Sequence, residues 1–394
     1  MSTRFSSVHD VVVVGARAAG AATAMLLARA GLDVLVVDRG RYGADTLSTH
    51  ALMRAGVVQL QRWGLLDDVI DAGTPAVRTT TFTYADEEVH VTIKPSHGVD
   101  ALYAPRRTVL DPILVDAARA AGASFDYGTS VTDILRDRTG RVGGVEGRDR
   151  DGRAVRHEAR WVVGADGLRS LVADAVEAPI ERRGTGATAV VYGYWSGLAT
   201  DGYQWVFRPD ACAGVIPTND DHTCVFAAAT PARIGRGGGM DILHEVVRAA
   251  APTLADRVAS ATQPRGVRTF GGVPGYMRVP WGAGWALVGD AGYWKDPIGA
   301  HGLTDALRDA ELLARAITAI ATGDATESDA LSHFHRTRNC ISLPLFDVID
   351  TIAGMCWSDA EIPGLLRELS SAMSDEVDVV AGFDEEPAVS GAAL

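Results

Sequence analysis

At 394 residues, with 47% hydrophobic and 22% charged side chains, the chain is long enough for one large or two smaller globular domains with a substantial core. A net charge of −13, with Lys94 and Lys295 the sole lysines and no basic stripe, argues against a nucleic-acid or anionic-membrane partner. Cys212, Cys224, Cys340 and Cys356 form no CxxC pair, so buried inert thiols in a reducing, cytoplasmic setting are expected. No signal peptide is expected, and no uncharged apolar run reaches the roughly 18 residues that a membrane span needs.

The stretch VVVVGARAAGAATAMLLARAGLDVLVVDR runs from Val11 to Arg39. Four valines in succession read as a strand buried on both faces. Gly15 opens a tight turn, Ala18, Ala19 and Gly20 lead into a small-residue helix, and Gly31 closes it. A second apolar run, Leu32 to Val37, delivers Asp38 about where a βαβ unit holds an adenosine ribose hydroxyl. The loop has G-x-G-x-x-G spacing, but Arg17 takes the place of the middle glycine. Its guanidinium has three options: a phosphate oxygen, a nearby carboxylate, or solvent.

Residues 48–73 repeat apolar side chains near a helical period, and Arg78–Lys94 alternates like a hairpin turning near Asp86–Glu87. Helical character returns over 106–123, and a small β-meander follows. Residues 180–275 are rich in β-formers and aromatics, among them Tyr192, Tyr194, Tyr203, Trp205, Phe207 and Phe226. They predict a β-rich insert roofing a cleft, its aromatics forming core or lining an apolar cavity, with GYQWVFRP as a sheet edge reaching that cavity. The nucleotide-type pattern resumes at GWALVGDAG (284–292), before a long helix from about Leu303 to Ala321. Residues 342–357 read as a core helix, a closing element or a homodimer contact. The acids from 373 onward read as a solvated, partly disordered tail.

Three segments carry chemistry together. The first is the Gly15–Gly20 loop with Asp38, and the second is WVVGADGLRS (161–170), a strand running into Asp166–Gly167. In the third, ALVGDAGYWKDPIGAHGLTDALRD, a strand delivers Asp290 and Pro297 stiffens a loop. Gly299 and Gly302 then precede a helix start whose free N–H groups suit an electron-rich ring. His50 and His301 are the candidate catalytic side chains. His50 follows the second strand and either moves a proton, orients substrate or packs against backbone. His301 either organises the turn or does acid–base work. His333 and His335, two apart on a helix, face different sides, and no metal site is expected.

With RxxLDxxL at Arg107, Leu110, Asp111 and Leu114, this motif order resembles the flavoprotein monooxygenases of the para-hydroxybenzoate hydroxylase type and the geranylgeranyl-reductase-like oxidoreductases, over roughly residues 9–320. The resemblance implies FAD, with Gly15, Arg17, Ala18, Ala19 and Gly20 at the pyrophosphate, and Asp38 on the ribose beside Arg39. It implies Arg107 near the flavin or pyrophosphate, Val131 near adenine, Asp166 in the Asp–Gly motif and Asp290 on the ribityl chain. The turn from Pro297 through Gly299, Gly302, Leu303 and Thr304 would face the isoalloxazine. The sequence departs from the family pattern at Arg17, Ala173, Gly292–Tyr293, His301 and Thr304.

The implied fold is α/β. A Rossmann-like FAD-binding domain of the GR2 type is built from 1–75, 100–178 and 273–322. A β-sheet substrate domain comes from 76–99 and 179–272, with a helical C-terminal segment over 323–372 and a tail over 373–394. The implied function is NAD(P)H- and O2-dependent monooxygenation, hydroxylation or epoxidation, of a small-to-medium apolar, aromatic metabolite through a flavin hydroperoxide. The alternatives are reduction of an unsaturated, isoprenoid-like substrate, halogenation, or flavin binding without turnover. The chain is short for a halogenase and lacks the WxWxIP pattern.

Overall fold

The computed structural model describes residues 8–85, 87–235 and 239–384. Its central strand is His9–Val14, where β-branched valines suit the pleat and Val11, Val12 and Val13 are wholly buried. It pairs in parallel with Val34–Asp38 on one side and Ala154–Gly164 on the other. Ser124–Tyr127 extends one edge and Trp285–Leu287 the other, both again parallel. A strand from residue 285 onward thus lies beside one ending at residue 164, so the chain leaves this sheet and returns to complete it. The helix Ala18–Arg29 packs against Arg107–Ala120 and Gly302–Thr322, and its buried Ala18, Ala21, Ala22 and Ala24 permit close approach.

The intervening chain builds a seven-stranded sheet in which neighbours are antiparallel except Tyr203–Arg208 with Thr79–Tyr84. Alternation gives it two buried faces. Tyr192, Trp205, Phe207 and Phe226 face the helices Glu327–Ala353 and Ile362–Ala381, while Val191, Trp195, Val206 and Val225 face Met240–Ala250 and Pro252–Ser260. The mixed α/β fold, with its β-rich middle and C-terminal helices, is the one expected.

Several local expectations need correction. GYQWVFRP is no edge, because Tyr203–Arg208 has a partner strand on each side. The 48–73 region is two helices, Arg54–Arg62 and Leu66–Asp71, parted where Gly64 adopts φ +73°. Two helices cover the β-rich insert. The hairpin Thr79–Tyr84 with Glu87–Thr92 forms, although Asp86 at its turn lies outside the described residues. Residues 342–357 fall largely in the helix Glu327–Ala353, with Leu345, Phe346, Ile349 and Ile352 in the core. Residues 373–381, expected as tail, are the last turns of Ile362–Ala381, because Val377, Val380 and the following Phe383 bury an apolar stripe. The rest of that expectation, 385–394, lies outside the described residues. Cys212 and Cys224 are buried as expected, burial pushing Cys212 up to about 12, but Cys340 and Cys356 are exposed. No helix among the described residues is long and apolar enough to cross a membrane.

Candidate active site

Gly15 leaves the first strand at φ +106°, and a Cβ there would overlap the Ala165 carbonyl oxygen. A Cβ on Gly20 would overlap the Gly15 carbonyl oxygen and sit 3.1 Å from the Ala165 Cβ. These two glycines let the helix start lie hard against the strand ends. Arg17 is the N-cap, extended and without a side-chain cap, so the N–H groups of Ala18, Ala19 and Gly20 have no partner within the helix. Its guanidinium swings out of the turn, donating to the Ala44 carbonyl at 2.7 Å and to Asp111 Oδ2 at 3.4 Å. Asp111 in turn accepts from Arg107 Nε at 2.8 Å and Nη2 at 3.0 Å. The shorter Arg17 bond is to the Ala44 carbonyl, and the longer one reaches the RxxLDxxL helix at Asp111.

Asp38 accepts from the Ala16 N–H at 2.7 Å and the Gly40 N–H at 2.5 Å, joining the loops that follow the first two strands. Ala16, Arg17, Asp38, Arg41, Asp111 and Tyr127 line a small open cleft there. Arg39 is exposed at the same strand end. Val131, on Ser130–Arg136, packs with the apolar residues on the opposite face of the sheet. Asp166 holds its own turn together: Ser170 Oγ donates to it at 2.5 Å and the Val172 N–H at 3.2 Å.

Asp290 follows the strand Trp285–Leu287. Burial pushes its carboxyl up to about 6, the charges of Arg107 and Lys295 offsetting only part of the effect. No side chain among the described residues donates to that carboxylate. Beyond it, Asp296 caps Pro297–Gly299 and also accepts from the Thr188 N–H at 2.6 Å. Ala300 is left-handed at φ +49°, and a Cβ on Gly299 would overlap Ile349. Gly302 begins the helix Gly302–Thr322 with open space beside its Cα, Leu303 is buried, and Thr304 Oγ1 accepts from the Met53 N–H at 3.1 Å.

His50 is 1% exposed and left-handed at φ +68°. Its ring stacks on Tyr194, centroids 5.5 Å apart, with Nε2 hydrogen-bonded to the Tyr194 hydroxyl. Its Nδ1 is buried without a partner among the described residues. The Arg106 guanidinium lies 3.8 Å over the Tyr194 ring, while Asp45 Oδ2 accepts from Arg106 at 3.3 Å and Arg268 at 2.8 Å. Desolvation, then the charges of Arg106, Arg107 and Arg268, hold His50 well below the usual imidazole range. Burial likewise keeps the Tyr194 hydroxyl protonated. The Arg107 charge lowers both His50 and Asp290. The sequence did not single out Tyr194 as a polar partner, nor Arg106, Asp45 or Arg268. Only Arg106, adjoining Arg107 at a helix start, carried a local signal.

His301, at the start of Gly302–Thr322, has both ring nitrogens on carboxylates. Nδ1 lies 3.2 Å from Asp305 Oδ1, and Nε2 lies 2.8 Å from Glu376 Oε2, close as an ion-pair contact but off hydrogen-bond alignment. Arg308, wholly buried, donates to Asp305 at 2.9 Å, Asp309 at 2.8 Å and Glu376 at 2.7 Å, and Lys295 pairs with Asp305. His301, Asp305 and Glu376 have donor atoms within 4.8 Å of one another, but the cations of Arg308 and Lys295 already neutralise them.

Residues 8–343 match the FAD binding domain family. The chain belongs to that family. It is an FAD-dependent oxidoreductase, within the range of hydroxylases and reductases that the motif order resembles. The menaquinone reductase of Mycolicibacterium smegmatis is 30% identical over 332 residues, 78% of this chain and 76% of that protein. The ubiquinone hydroxylase UbiL of Rhodospirillum rubrum is 26% identical over 92% of this chain and 85% of its own. Among solved structures, a variant of the flavin-dependent brominase Bmp2 superposes with a TM-score of 0.81 over 95% of this chain and 94% of its own, at 18% identity. That last likeness is one of fold.

The residues present fit FAD on their own geometry. Three unpaired N–H groups stand at a helix start that two glycines hold against the sheet. Asp38 lines the adjoining cleft, and Asp290 is a desolvated acceptor without a donor.

Proposed function

We propose that the chain is an FAD-dependent monooxygenase, a hydroxylase or epoxidase, using NAD(P)H and O2 on a small-to-medium, largely apolar aromatic metabolite. Bound FAD supplies the redox and oxygen chemistry, and the protein supplies binding, orientation and proton control. The observation that carries the reading is the buried His50–Tyr194 pair, whose Nδ1 has no partner among the described residues and whose imidazole is kept neutral by burial and the charges of Arg106, Arg107 and Arg268. An orphaned polar atom in so apolar a setting costs about 1–3 kcal/mol, which a substrate oxygen would relieve.

Two tautomers are open to His50. If Tyr194 donates to the Ser48 carbonyl, 3.4 Å away, then Nε2–H donates to the Tyr194 oxygen and Nδ1 is free to accept a substrate hydroxyl proton. If Tyr194 donates to Nε2, then Nδ1–H donates to a substrate carbonyl. In both tautomers the resting His50 is neutral and orients an oxygen-bearing ring. Arg106 and Arg268, anchored on Asp45, favour negative charge on that ring. The buried aromatics Tyr192, Trp205 and Phe226 supply apolar walls nearby and exclude water.

The two relatives that span most of this chain are named for a quinone hydroxylase and a quinone reductase, which favours a ring substrate and keeps reduction as the second reading. The deciding experiment supplies isotopically labelled dioxygen and NADPH or NADH with a panel of phenols, quinones and polyprenyl compounds. Label in the product supports oxygenation. A hydrogenated product without label would overturn it in favour of the reductase.

A further inference from the structure

The strongest unexplained feature is the carboxylate of Glu376. It sits in an acid-rich stretch, SDEVDVV, on a helix beyond the residues matched to the family, yet it is 1% exposed. Its neighbours explain how it is held there. The helix Ile362–Ala381 packs on Glu327–Ala353 and Arg54–Arg62, and Val377, Val380 and Phe383, which follow Glu376, join the core. A carboxylate in that setting is costly unless paired, and removal of one partner of such a pair is strongly destabilising. Glu376 reaches Arg308 at 2.7 Å and His301 at 2.8 Å, and those two side chains share Asp305. Burial alone would raise Glu376, but the Arg308 guanidinium and the His301 ring beside it outweigh burial and hold its carboxyl below the usual carboxylate range. Arg308, charged at any pH, is the partner that keeps it ionised.

Both partners belong to the element whose start the family resemblance places against the flavin. His301 is the N-cap of Gly302–Thr322, and Arg308 lies two turns in. His301 makes no side-chain cap bond to its own helix, because its ring is committed to the two carboxylates. The preceding residue, Ala300, holds a left-handed φ of +49° with no glycine's freedom to do so. Asp296 and Thr188 hold the turn at its start and Met53 holds it at Thr304, while at His301 the C-terminal helix adds Glu376 to Asp305.

We propose that Glu376 is a positioning residue, a latch by which the C-terminal helix sets the flavin-facing turn Pro297–Thr304 through His301 and Arg308. This rests on the assignment of that turn to the flavin. The latch fixes how closely the positive end of Gly302–Thr322 approaches the ring, and so how strongly that end favours the reduced, more negative flavin.

The test compares E376Q, E376D, H301N and the turn variant G302V in the full chain. Readouts are the FAD dissociation constant, the reduction potential of the bound flavin and the melting temperature. The expected result is about tenfold weaker FAD binding in E376Q, the scale of one lost charge-assisted hydrogen bond. A more negative flavin potential accompanies it, with partial recovery in E376D. H301N shifts both readouts the same way, and the E376Q/H301N double variant is no worse than the poorer single one. A melting temperature that falls with FAD affinity and potential unchanged overturns the latch and leaves Glu376 a purely structural ion pair. If G302V, whose Cβ meets nothing within 4 Å, leaves affinity and potential unchanged, the assignment of the turn itself is wrong. If G302V moves them and E376Q does not, the turn stands and the latch falls. Should E376Q not fold, E376D and H301N carry the same comparison.

Discussion

Replacement of Asp290 by Asn should strengthen the cofactor-free protein while weakening its hold on FAD. Asp290 is raised from 3.8 to about 6, chiefly by burial. A carboxyl raised in the folded state destabilises the fold at higher pH: the penalty is absent below about pH 4, grows between the two values and is complete above about pH 6. A shift of about two units corresponds to about 3 kcal/mol at 1.36 kcal/mol each. The side chain keeps some solvent contact, which discounts this to about 1–2 kcal/mol. Asp290→Asn removes the charge at constant shape. Thermal unfolding of the FAD-free protein from pH 4 to pH 8 should show the variant a few degrees more stable at the alkaline end, converging with the parent near pH 4. FAD titration at pH 7.5 should show weaker binding by about tenfold, since an amide offers a poorer acceptor to ribityl hydroxyls. A variant less stable than the parent at pH 8, or one that binds FAD as tightly, refutes the reasoning. The first outcome would mean that Asp290 has a stabilising partner, the second that it does not meet the cofactor.

Gly20→Ala drives a Cβ into the Gly15 carbonyl oxygen and should cost about 3 kcal/mol with loss of FAD, whereas Gly31→Ala, with nothing within 4 Å, should cost about 1 kcal/mol and keep FAD. Differential scanning calorimetry and cofactor retention on gel filtration read both. Arg17→Ala loses a part-exposed ion pair and a bond to Ala44, so stability should drop by about 0.5–1 kcal/mol and the FAD dissociation constant should change less than about threefold. A loss beyond tenfold would move the guanidinium onto the phosphate. If His50 acts as the neutral base, substrate turnover should lose activity on acidification only well below pH 6.5, and His50→Gln should abolish that acid limb. An unchanged limb assigns the proton step elsewhere.

The backbone-level features of the cofactor site were legible because they are local. Valines at consecutive positions, glycines at Gly15 and Gly20, and an acid ending the second strand dictate a βαβ turn wherever they occur, and these elements formed where expected. The return of the chain at Trp285 was legible from the same pattern. What the sequence hid depends on contacts distant in the chain. Tyr194 reads as one aromatic among many until residue 50 is brought to it. Arg268 carries no local signal at all. Composition misled at the C-terminus: the acids of SDEVDVV suggested solvent, although Val377, Val380 and Phe383 recur at a helical spacing that marks a buried face. Helices over 240–260 were absorbed into a β-rich reading drawn from the aromatics of 192–226, yet those helices are what give the middle sheet its second buried face.

The central claim is that Gly15–Gly20, Asp38, Asp290 and the turn at Gly299–Thr304 enclose one dinucleotide flavin. Titration of the FAD-stripped protein by isothermal calorimetry, with FMN and riboflavin in parallel, tests it most directly. Saturation at one FAD per chain, with FMN and riboflavin bound far more weakly for lack of the adenosine contacts at Asp38, is the result this account predicts. Equal affinity for FAD and riboflavin, or no heat from any of the three, would contradict it.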